Sequence, residues 1–254
     1  SSLLSRRRWN RRAGFAAARG EWILMGDADL SYDFLELPRF WEEIRKGHEL
    51  VMGTRLRGTI EPGAMPRLNR YLGNPVLSAL IRLFFGSRVS DAHCGLRAFR
   101  RDALPRMNLH TGGMEMAGEI VIKAAAAGLD TVEIPITLHP DGRGRPPHMR
   151  PFRDGWRNLR YMLMMAPTWL FILPGVVLFV LGLPMVVVSP AAVLRFGPAA
   201  LHDYVMVFGM SLLLLSVHLI LIGVLVKVFT YAERLGAHGA RFTRALASVK
   251  LEHG

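Results

Sequence analysis

Blocks of apolar and polar residues alternate along the first 150 positions and predict strands separated by helices. Trp22–Met25 is a continuous apolar run, typical of a buried strand in a parallel sheet that is covered on both faces. Similar short runs predict three further strands, over Glu49–Thr54, Leu96–Arg100 and Thr131–Leu138. The chain is therefore expected to have an α/β fold built on a parallel or mixed sheet.

Helical spacing of the apolar positions predicts the elements that lie between these strands. In residues 34–46, Phe34, Leu37, Trp41 and Ile44 fall on one face of a helix. Further helices are expected over 13–19, over 68–85 with an interruption near Pro75, and over 116–127.

Two long stretches without Asp, Glu, Lys or Arg change this picture. They cover Tyr161–Leu194 and Tyr204–Val226, and each exceeds the roughly 20 residues with which a helix crosses a bilayer. We expect two transmembrane helices, near 170–189 and 204–227. A buried helix of a soluble core is the alternative for each stretch, but two stretches of this length make it the weaker explanation.

The chain has a net charge of +12, and basic residues crowd beside these stretches. Six arginines precede the first one: Arg143, Arg145, Arg150, Arg153, Arg157 and Arg160. More basic residues follow the second stretch, whereas the only ionisable residues in the loop between the predicted spans are Arg195, Asp203 and a histidine. The positive-inside rule therefore predicts that both ends face the cytoplasm. A nucleic-acid-binding patch is the alternative, but no recognisable nucleic-acid-binding module accompanies the charge, and we expect no nucleic-acid partner.

Residues 152–165 combine an aromatic side, with Phe152 and Trp156, and a basic side, with Arg153 and Arg157. Such a helix tends to lie in the membrane interface; a solvated helix packed on its own domain is the alternative. The predicted domains are an α/β domain over 1–150, an interfacial helix over 151–168, a transmembrane hairpin over 169–230 and a basic cytoplasmic tail over 231–254.

The most informative motif is the acid pair Asp27 and Asp29, which directly follows the apolar run at 22–25. Open α/β sheets bind ligands at the carboxyl ends of their strands. Two neighbouring carboxylates repel each other unless a cation lies between them, and oxygen ligands suit Mg²⁺ or Mn²⁺. Taken alone, the motif is also compatible with an acidic turn that binds no metal.

Arginines recur near the expected strand ends. The charged clusters that contain them are Gly53-Thr54-Arg55, Arg67 to Arg70, Asp91 to Arg97 and Asp141 to Arg145. Because arginine forks bind phosphate oxygens, their recurrence near a carboxylate pair indicates phosphate-rich substrates. Each arginine taken singly is more often a solvated surface charge.

With these motifs, the chain resembles the family-2 glycosyltransferases that act on polyprenyl phosphates, of the dolichyl-phosphate mannose or glucose synthase type. The resemblance rests on Gly26-Asp27-Ala28-Asp29, Gly53-x-Arg55, Asp91-x-x-Cys94-Gly95-Leu96-Arg97 and the Asp141–Arg150 segment, followed by the interfacial helix and the hairpin. It covers roughly residues 11–230. It implies a partial GT-A (Rossmann-like) domain and metal-dependent, inverting transfer of a hexose from a UDP- or GDP-sugar to a polyprenyl phosphate.

The resemblance also implies roles for individual residues. Asp29, supported by Asp27, would bind the Mg²⁺ or Mn²⁺ that holds the donor diphosphate. Arg55 would grip the acceptor phosphate, together with Arg67 or Arg70.

Asp91 and Arg97 would line the active site and either contact the acceptor or order the loop; a loop cap is the alternative for Asp91. Glu115 and Glu119 flank the start of a predicted helix. The sequence leaves open whether they are catalytic carboxylates or complement the charge of the helix N-terminus.

Two departures from the family pattern qualify these expectations. Ser31 stands where mannose-type members often have glutamine, which favours glucose or another sugar. The segments that hold the nucleotide base have no counterpart, and we expect an N-terminally truncated member. A non-catalytic, membrane-anchored relative that serves assembly is the alternative. The two predicted spans and the basic residues beside them predict a multi-pass protein of the inner (cytoplasmic) membrane whose catalytic domain faces the cytoplasm. A homo-oligomer is left open.

Overall fold

A computed structural model describes residues 11–111, 113, 115–142, 151–193 and 199–232. The described residues divide into two compact units, one that ends at Met162 and one that begins at Leu163. The first unit is an α/β domain, and the second consists of long apolar helices.

The α/β unit contains four strands: β1 (Trp22–Met25), β2 (Leu50–Ile60), β3 (Arg97–Arg100) and β4 (Thr131–Leu138). Its helices are α1 (Arg11–Ala17), α2 (Leu37–Arg45), α3 (Asn74–Phe85), α4 (Ala103–Met107), α5 (Met116–Ala126) and α6 (Pro151–Met165), the last of which continues past the unit boundary. A 3₁₀ turn (Phe34–Glu36) leads into α2 and a π-helical turn (Asn69–Gly73) into α3.

The four strands form one mixed sheet in the order β1-β3-β2-β4. β3 runs antiparallel to both β1 and β2, whereas β2 and β4 are parallel. The carboxyl ends of β1, β2 and β4 therefore lie at one edge of the sheet, together with the start of β3. This is the arrangement that brings the charged motifs towards each other.

Two apolar clusters of buried side chains cover the two faces of this sheet. The larger joins Leu50, Met52 and Phe99 of the strands to side chains of the helices, including Ile81 of α3 and Ile120 of α5. The smaller joins further strand residues to α2, and its buried members are Tyr32, Phe40, Val51, Cys94, Leu96, Ala98, Ile134, Ile136 and Leu138. Apolar side chains therefore fix the sheet on both sides.

The predicted α/β class with a mixed sheet is confirmed, and β4 has the predicted bounds. The expectation that β1 lies in a parallel sheet covered on both faces is wrong. β1 pairs antiparallel with β3, and Leu24 is 40% exposed, so this strand is not buried on both faces. β2 continues six residues past the predicted end at Thr54, and α4 has no counterpart in the prediction.

The second unit contains a π-helical turn (Thr168–Ile172), α7 (Leu173–Val193) and α8 (Ala199–Ala232). Two segments, Thr168–Val187 and Asp203–Thr230, are long and apolar enough to cross a membrane. Their outward side chains are apolar, as at Leu181 and Leu214, which are 55% and 63% exposed. α7 and α8 approach closely at Gly182, where an added Cβ would lie 2.9 Å from the carbonyl oxygen of Gly209. The expected pair of apolar helices is therefore present.

α6 is amphipathic, as the sequence predicts. Phe152 and Trp156 are 84% and 62% exposed, whereas Met162 is buried in the larger apolar cluster. Its position in a membrane interface stays a prediction, as do the four domain boundaries. Most of the predicted basic tail, from residue 233 onwards, and residues 143–150 lie outside the described part of the chain.

Candidate functional site

Four of the motifs singled out in the sequence meet at one edge of the sheet. Asp27 and Asp29 follow β1, Arg55 lies in β2, and Asp91 lies in the loop that leads into β3. Asp141 and Gly142 follow β4, which ends at Leu138. The carboxyl ends of parallel strands are the usual ligand-binding edge of open α/β sheets, so this edge is the candidate site.

The backbone around the acid pair is held in a compact turn. Oδ1 of Asp29 accepts a hydrogen bond of 3.1 Å from the amide of Ser31. Leu30, between them, adopts a left-handed conformation with φ of 64°, which is rare for a residue with a branched side chain. Such strain occurs where the surroundings dictate the backbone, often at functional sites.

The segment after β4 is hydrogen-bonded to this same turn. The amide of Gly142 donates to the carbonyl oxygen of Asp29 at 3.0 Å, and the amide of His139 donates to that of Ser31 at 2.9 Å. The first two residues of the Asp141–Arg150 motif therefore lie beside the acid pair. Arg143 to Arg150 fall outside the described residues.

The acid pair has the donor chemistry that Mg²⁺ or Mn²⁺ requires. Among the described residues there is no group of three or more His, Cys, Asp or Glu side chains that could hold a metal ion. Asp27 and Asp29 alone would thus leave most coordination positions to water and to phosphate oxygens. This is how Mg²⁺ is usually held in sites that bind phosphorylated substrates. The residues present fit such an ion.

Arg55 and Asp91 form a buried ion pair. Nε and Nη2 of Arg55 donate to Oδ2 and Oδ1 of Asp91 at 2.7 and 2.8 Å, and the Arg55 amide donates to Oδ2 at 3.1 Å. Burial alone lowers the pKa of Arg55, but the hydrogen bonds and charge of Asp91 outweigh it and raise the pKa above its usual value. Burial alone raises the pKa of Asp91, but Arg55 holds it below the usual range. Both groups are therefore charged at neutral pH.

Residues 90–96, here called the Asp91 loop, are tied to neighbouring elements at several further points. Oε1 of Glu133 in β4 accepts the amides of Ser90 and Asp91 at 2.8 and 3.1 Å. The hydroxyl of Ser78 in α3 accepts the amide of Ala92 at 3.1 Å. Together with Arg55, these bonds hold the loop against the sheet and α3.

Arg97 lies inside the domain rather than on the surface of the site. Its side chain is fully buried; Nη1 donates to the carbonyl oxygen of Ala117 at 3.0 Å, and Nη2 donates to that of Cys94. Burial lowers the pKa of its guanidinium. Its contacts join the Asp91 loop to the start of α5, which matches loop ordering better than direct contact with an acceptor.

His93, in the same loop, has two buried ring nitrogens that lack a hydrogen-bond partner among the described residues. Burial lowers the pKa of this imidazole to about 4. The ring is therefore neutral at physiological pH.

Arg67 and Arg70 differ from Arg55 and Arg97 because they remain accessible. Arg67 is exposed and Arg70 is half-buried. The guanidinium carbon of Arg70 lies 5.5 Å from the centre of the Tyr71 ring, in the π-helical turn before α3. Among the predicted acceptor-binding arginines, these two are the ones open to a ligand.

Glu119 and Glu115 have structural partners that the sequence did not reveal. Glu119 is fully buried and accepts hydrogen bonds from the amides of His110 and Thr111, both at 2.8 Å, and its Oε1 lies 3.0 Å from Nζ of Lys123. Glu115 forms an ion pair of 2.8 Å with Arg157 of α6. These contacts anchor the loop before α5 and hold α6 to α5.

The sequence did not single out Tyr32 or Glu133, and it gave no role to Gly95 beyond its place in a motif. Tyr32 is buried, and its hydroxyl oxygen accepts the amide of Gly95 at 2.9 Å. The only signal in the sequence was the position of Tyr32 close to the acid pair, because these contacts join residues 42 to 63 positions apart in the chain.

Comparison with known proteins finds a family model that matches part of the α/β unit and relatives that match longer parts of the chain. Residues 5–107 match the family model described as Glycosyl transferase family 2. The chain is 40% identical over 241 residues to the low-salt glycan biosynthesis hexosyltransferase Agl6 of Haloferax volcanii, a match that covers 94% of this chain and 57% of that relative.

Two further relatives carry names that specify a lipid phosphate. The dolichyl-phosphate hexose transferase of Haloferax volcanii is 33% identical over 114 residues, 45% of this chain and 48% of the relative. The undecaprenyl-phosphate 4-deoxy-4-formamido-L-arabinose transferase of Klebsiella pneumoniae strain 342 is 28% identical over 222 residues, 84% of this chain and 63% of the relative. The chain thus spans about half of these curated relatives. The family match and the mixed sheet agree with the GT-A-like fold expected from the sequence.

Proposed function

Because residues 5–107 match the family model described as Glycosyl transferase family 2, we propose that the chain transfers a sugar from a nucleotide-sugar donor to a polyprenyl phosphate. The donor is a UDP- or GDP-sugar, and transfer inverts the anomeric centre. The acceptor class is supported by the relatives whose names specify dolichyl or undecaprenyl phosphate.

The observation that carries this proposal is the meeting of the motifs at one edge of the sheet. The acid pair lies beside the segment after β4, since Asp29 accepts the Gly142 amide, and beside the Asp91 loop, since Gly95 packs on Asp27. Accessible arginines in the same unit supply positive charge for a second phosphate. A donor diphosphate and a lipid phosphate are substrates that such a set of groups can bind together.

We assign the donor diphosphate to the Asp27 and Asp29 side, where the two carboxylates would hold Mg²⁺ or Mn²⁺. The bound ion would neutralise negative charge on the departing diphosphate. The two carboxylates orient the donor, and the hydrogen bond from Ser31 to Asp29 holds one of them in place before the substrate arrives.

We assign the acceptor phosphate to Arg67 and Arg70, which are open to solvent. A phosphate monoester has a second pKa near 6 and is largely ionised at neutral pH, so it attacks without a strong general base. An acceptor oxygen forms the new bond to the anomeric carbon from the face opposite the diphosphate. The bond to the diphosphate breaks at the same carbon, and the electron pair leaves with that group.

We assign Arg55, Asp91 and Arg97 a shared task, which is to hold the Asp91 loop in its place. The fork of Arg55 is bound by Asp91, so an acceptor phosphate would have to compete with a buried carboxylate. The family resemblance implies instead that Arg55 binds the acceptor phosphate directly. The kinetics of Arg55 variants would test this.

The two apolar helices suggest membrane association, which suits a lipid-linked acceptor. We further propose that both cross the inner membrane, that α6 lies in the interface, and that the catalytic unit faces the cytoplasm. The exposed Phe152 and Trp156 of α6 provide an apolar surface for that interface.

The test is a transfer assay with the whole chain in lipid vesicles, a panel of UDP- and GDP-sugars, a polyprenyl phosphate and Mn²⁺. We expect labelled sugar to appear on the lipid with at least one donor, and to disappear when EDTA is added. A chain that binds no nucleotide sugar by calorimetry in the presence of Mn²⁺ would instead favour a non-catalytic membrane protein.

A further inference from the structure

Tyr32 lies at the junction of the acid pair and the Asp91 loop. Its side chain is 6% exposed and belongs to the smaller apolar cluster, and its backbone pairs with Leu138 at the end of β4. Its hydroxyl oxygen accepts the Gly95 amide at 2.9 Å. One side chain thus fastens the turn after β1 to the loop before β3.

Gly95 fills the narrow space between Tyr32 and Asp27. A Cβ added to Gly95 would lie 2.2 Å from Oδ2 of Asp27 and 3.0 Å from Cε2 of Tyr32. Both distances are shorter than a van der Waals contact, so neither neighbour could keep its place beside a larger residue. The position of the Gly95 backbone therefore limits where the Asp27 carboxylate can lie.

The hydroxyl of Tyr32 keeps the Gly95 backbone in this place. The Tyr32 side chain is itself fixed by burial in the smaller apolar cluster, so its oxygen offers the Gly95 amide an acceptor at a fixed place. Removing the hydroxyl would leave a partly buried amide without its acceptor, which is costly and removes the restraint on the Gly95 backbone. Any shift of the Gly95 backbone changes the surface against which the Asp27 carboxylate packs.

We propose that Tyr32 is a positioning residue that sets the location of the Asp27 carboxylate through Gly95. The proposal rests on the proposed function, in which Asp27 and Asp29 hold a divalent cation with a nucleoside diphosphate. It assigns Tyr32 no contact with substrate. Its effect is to keep Asp27 where the cation and diphosphate need it, before either is bound.

The test measures Mn²⁺ binding to the whole chain in detergent, with UDP or GDP present, by the loss of the free Mn²⁺ signal in electron paramagnetic resonance. In Tyr32→Phe we expect Mn²⁺ to bind about 5- to 10-fold more weakly, close to the upper limit that the free energy of one hydrogen bond sets. Gly95→Ala, which forces Asp27 to move, should weaken binding further. In transfer assays, Tyr32→Phe should need more Mn²⁺ for half-maximal rate while the KM for polyprenyl phosphate stays unchanged.

Tyr161→Phe is the control, because it removes a buried hydroxyl from another tyrosine, which lies half-buried on α6. It should bind Mn²⁺ as the wild type does. Wild-type affinity in Tyr32→Phe, or equal weakening in both variants, would overturn the positioning role. If the wild type itself binds no Mn²⁺ with either diphosphate, the metal site of the proposed function is wrong, and the role of Tyr32 falls with it.

Discussion

Replacing Asp91 with asparagine tests whether the buried pair with Arg55 holds the Asp91 loop on the sheet. The side chains of Arg55 and Asp91 are 10% and 0% exposed, so water cannot replace the lost charge. Asparagine keeps the shape and one acceptor oxygen but leaves the guanidinium buried without a counter-charge. Because removing one partner of a buried pair is strongly destabilising, we expect Asp91→Asn to lower the free energy of unfolding by about 3–5 kcal/mol.

The assay is urea unfolding of the whole chain in detergent, followed by tryptophan fluorescence, since Trp22 and Trp41 lie in the α/β unit. The control is Asp102→Asn, which breaks the exposed ion pair between Asp102 and Arg100. Their side chains are 57% and 39% exposed, respectively. Asp102→Asn should lower the free energy of unfolding by less than about 1 kcal/mol.

The double variant Arg55→Met/Asp91→Leu separates two effects: the cost of a buried unpaired charge, and the loss of the ion pair that holds the Asp91 loop. It leaves no unpaired charge, and we expect it to be more stable than Asp91→Asn. If Asp91→Asn costs no more than Asp102→Asn, the pair does not anchor the loop and the reasoning is refuted.

Two further predictions concern pH and the acceptor. The pKa of His93 is about 4 in the folded protein and near 6.5 when unfolded, so the unfolded chain takes up the proton first as pH falls. The stability that depends on a neutral His93 is complete above pH 6.5 and is lost towards pH 4, by roughly 2–3 kcal/mol. In His93→Leu, the free energy of unfolding measured with urea should change less with pH between 6.5 and 4. The same pH dependence as in the wild type would show that His93 is not the group responsible. Arg70→Ala should raise the KM for polyprenyl phosphate roughly 10- to 100-fold, whereas the exposed Arg88→Ala should leave it unchanged; equal effects would remove Arg70 from the acceptor site.

The strands show how far local sequence determines this fold. β4 has the predicted bounds because its apolar run ends in turn residues on both sides. β2 runs on past Thr54 through an irregular stretch that holds Arg55 and Arg57, and it pairs with β4 again at Thr59 and Ile60. The antiparallel pairing of β1 with β3 depends on partners more than 70 residues apart, and no local pattern carries that information.

The candidate site was predictable as a set of motifs but not as a set of contacts. The acid pair and Asp91 were found from their residue types and their positions at strand ends. That Arg55 is bound by Asp91, or that Glu119 anchors a loop, follows from tertiary pairing alone. An arginine that ends an apolar run looks the same in sequence whether it binds a substrate phosphate or a buried carboxylate.

The most direct test of the account compares Asp29→Asn with Asp33→Asn in the Mn²⁺-dependent transfer of sugar to polyprenyl phosphate. Asp33 lies four residues away and caps the following turn by accepting the Leu35 amide at 2.8 Å, a role that asparagine also fills. We predict that Asp29→Asn lowers the transfer rate about 100-fold or more, while Asp33→Asn stays close to the wild type. Transfer at the wild-type rate by Asp29→Asn would contradict the assignment of this edge of the sheet as the donor site.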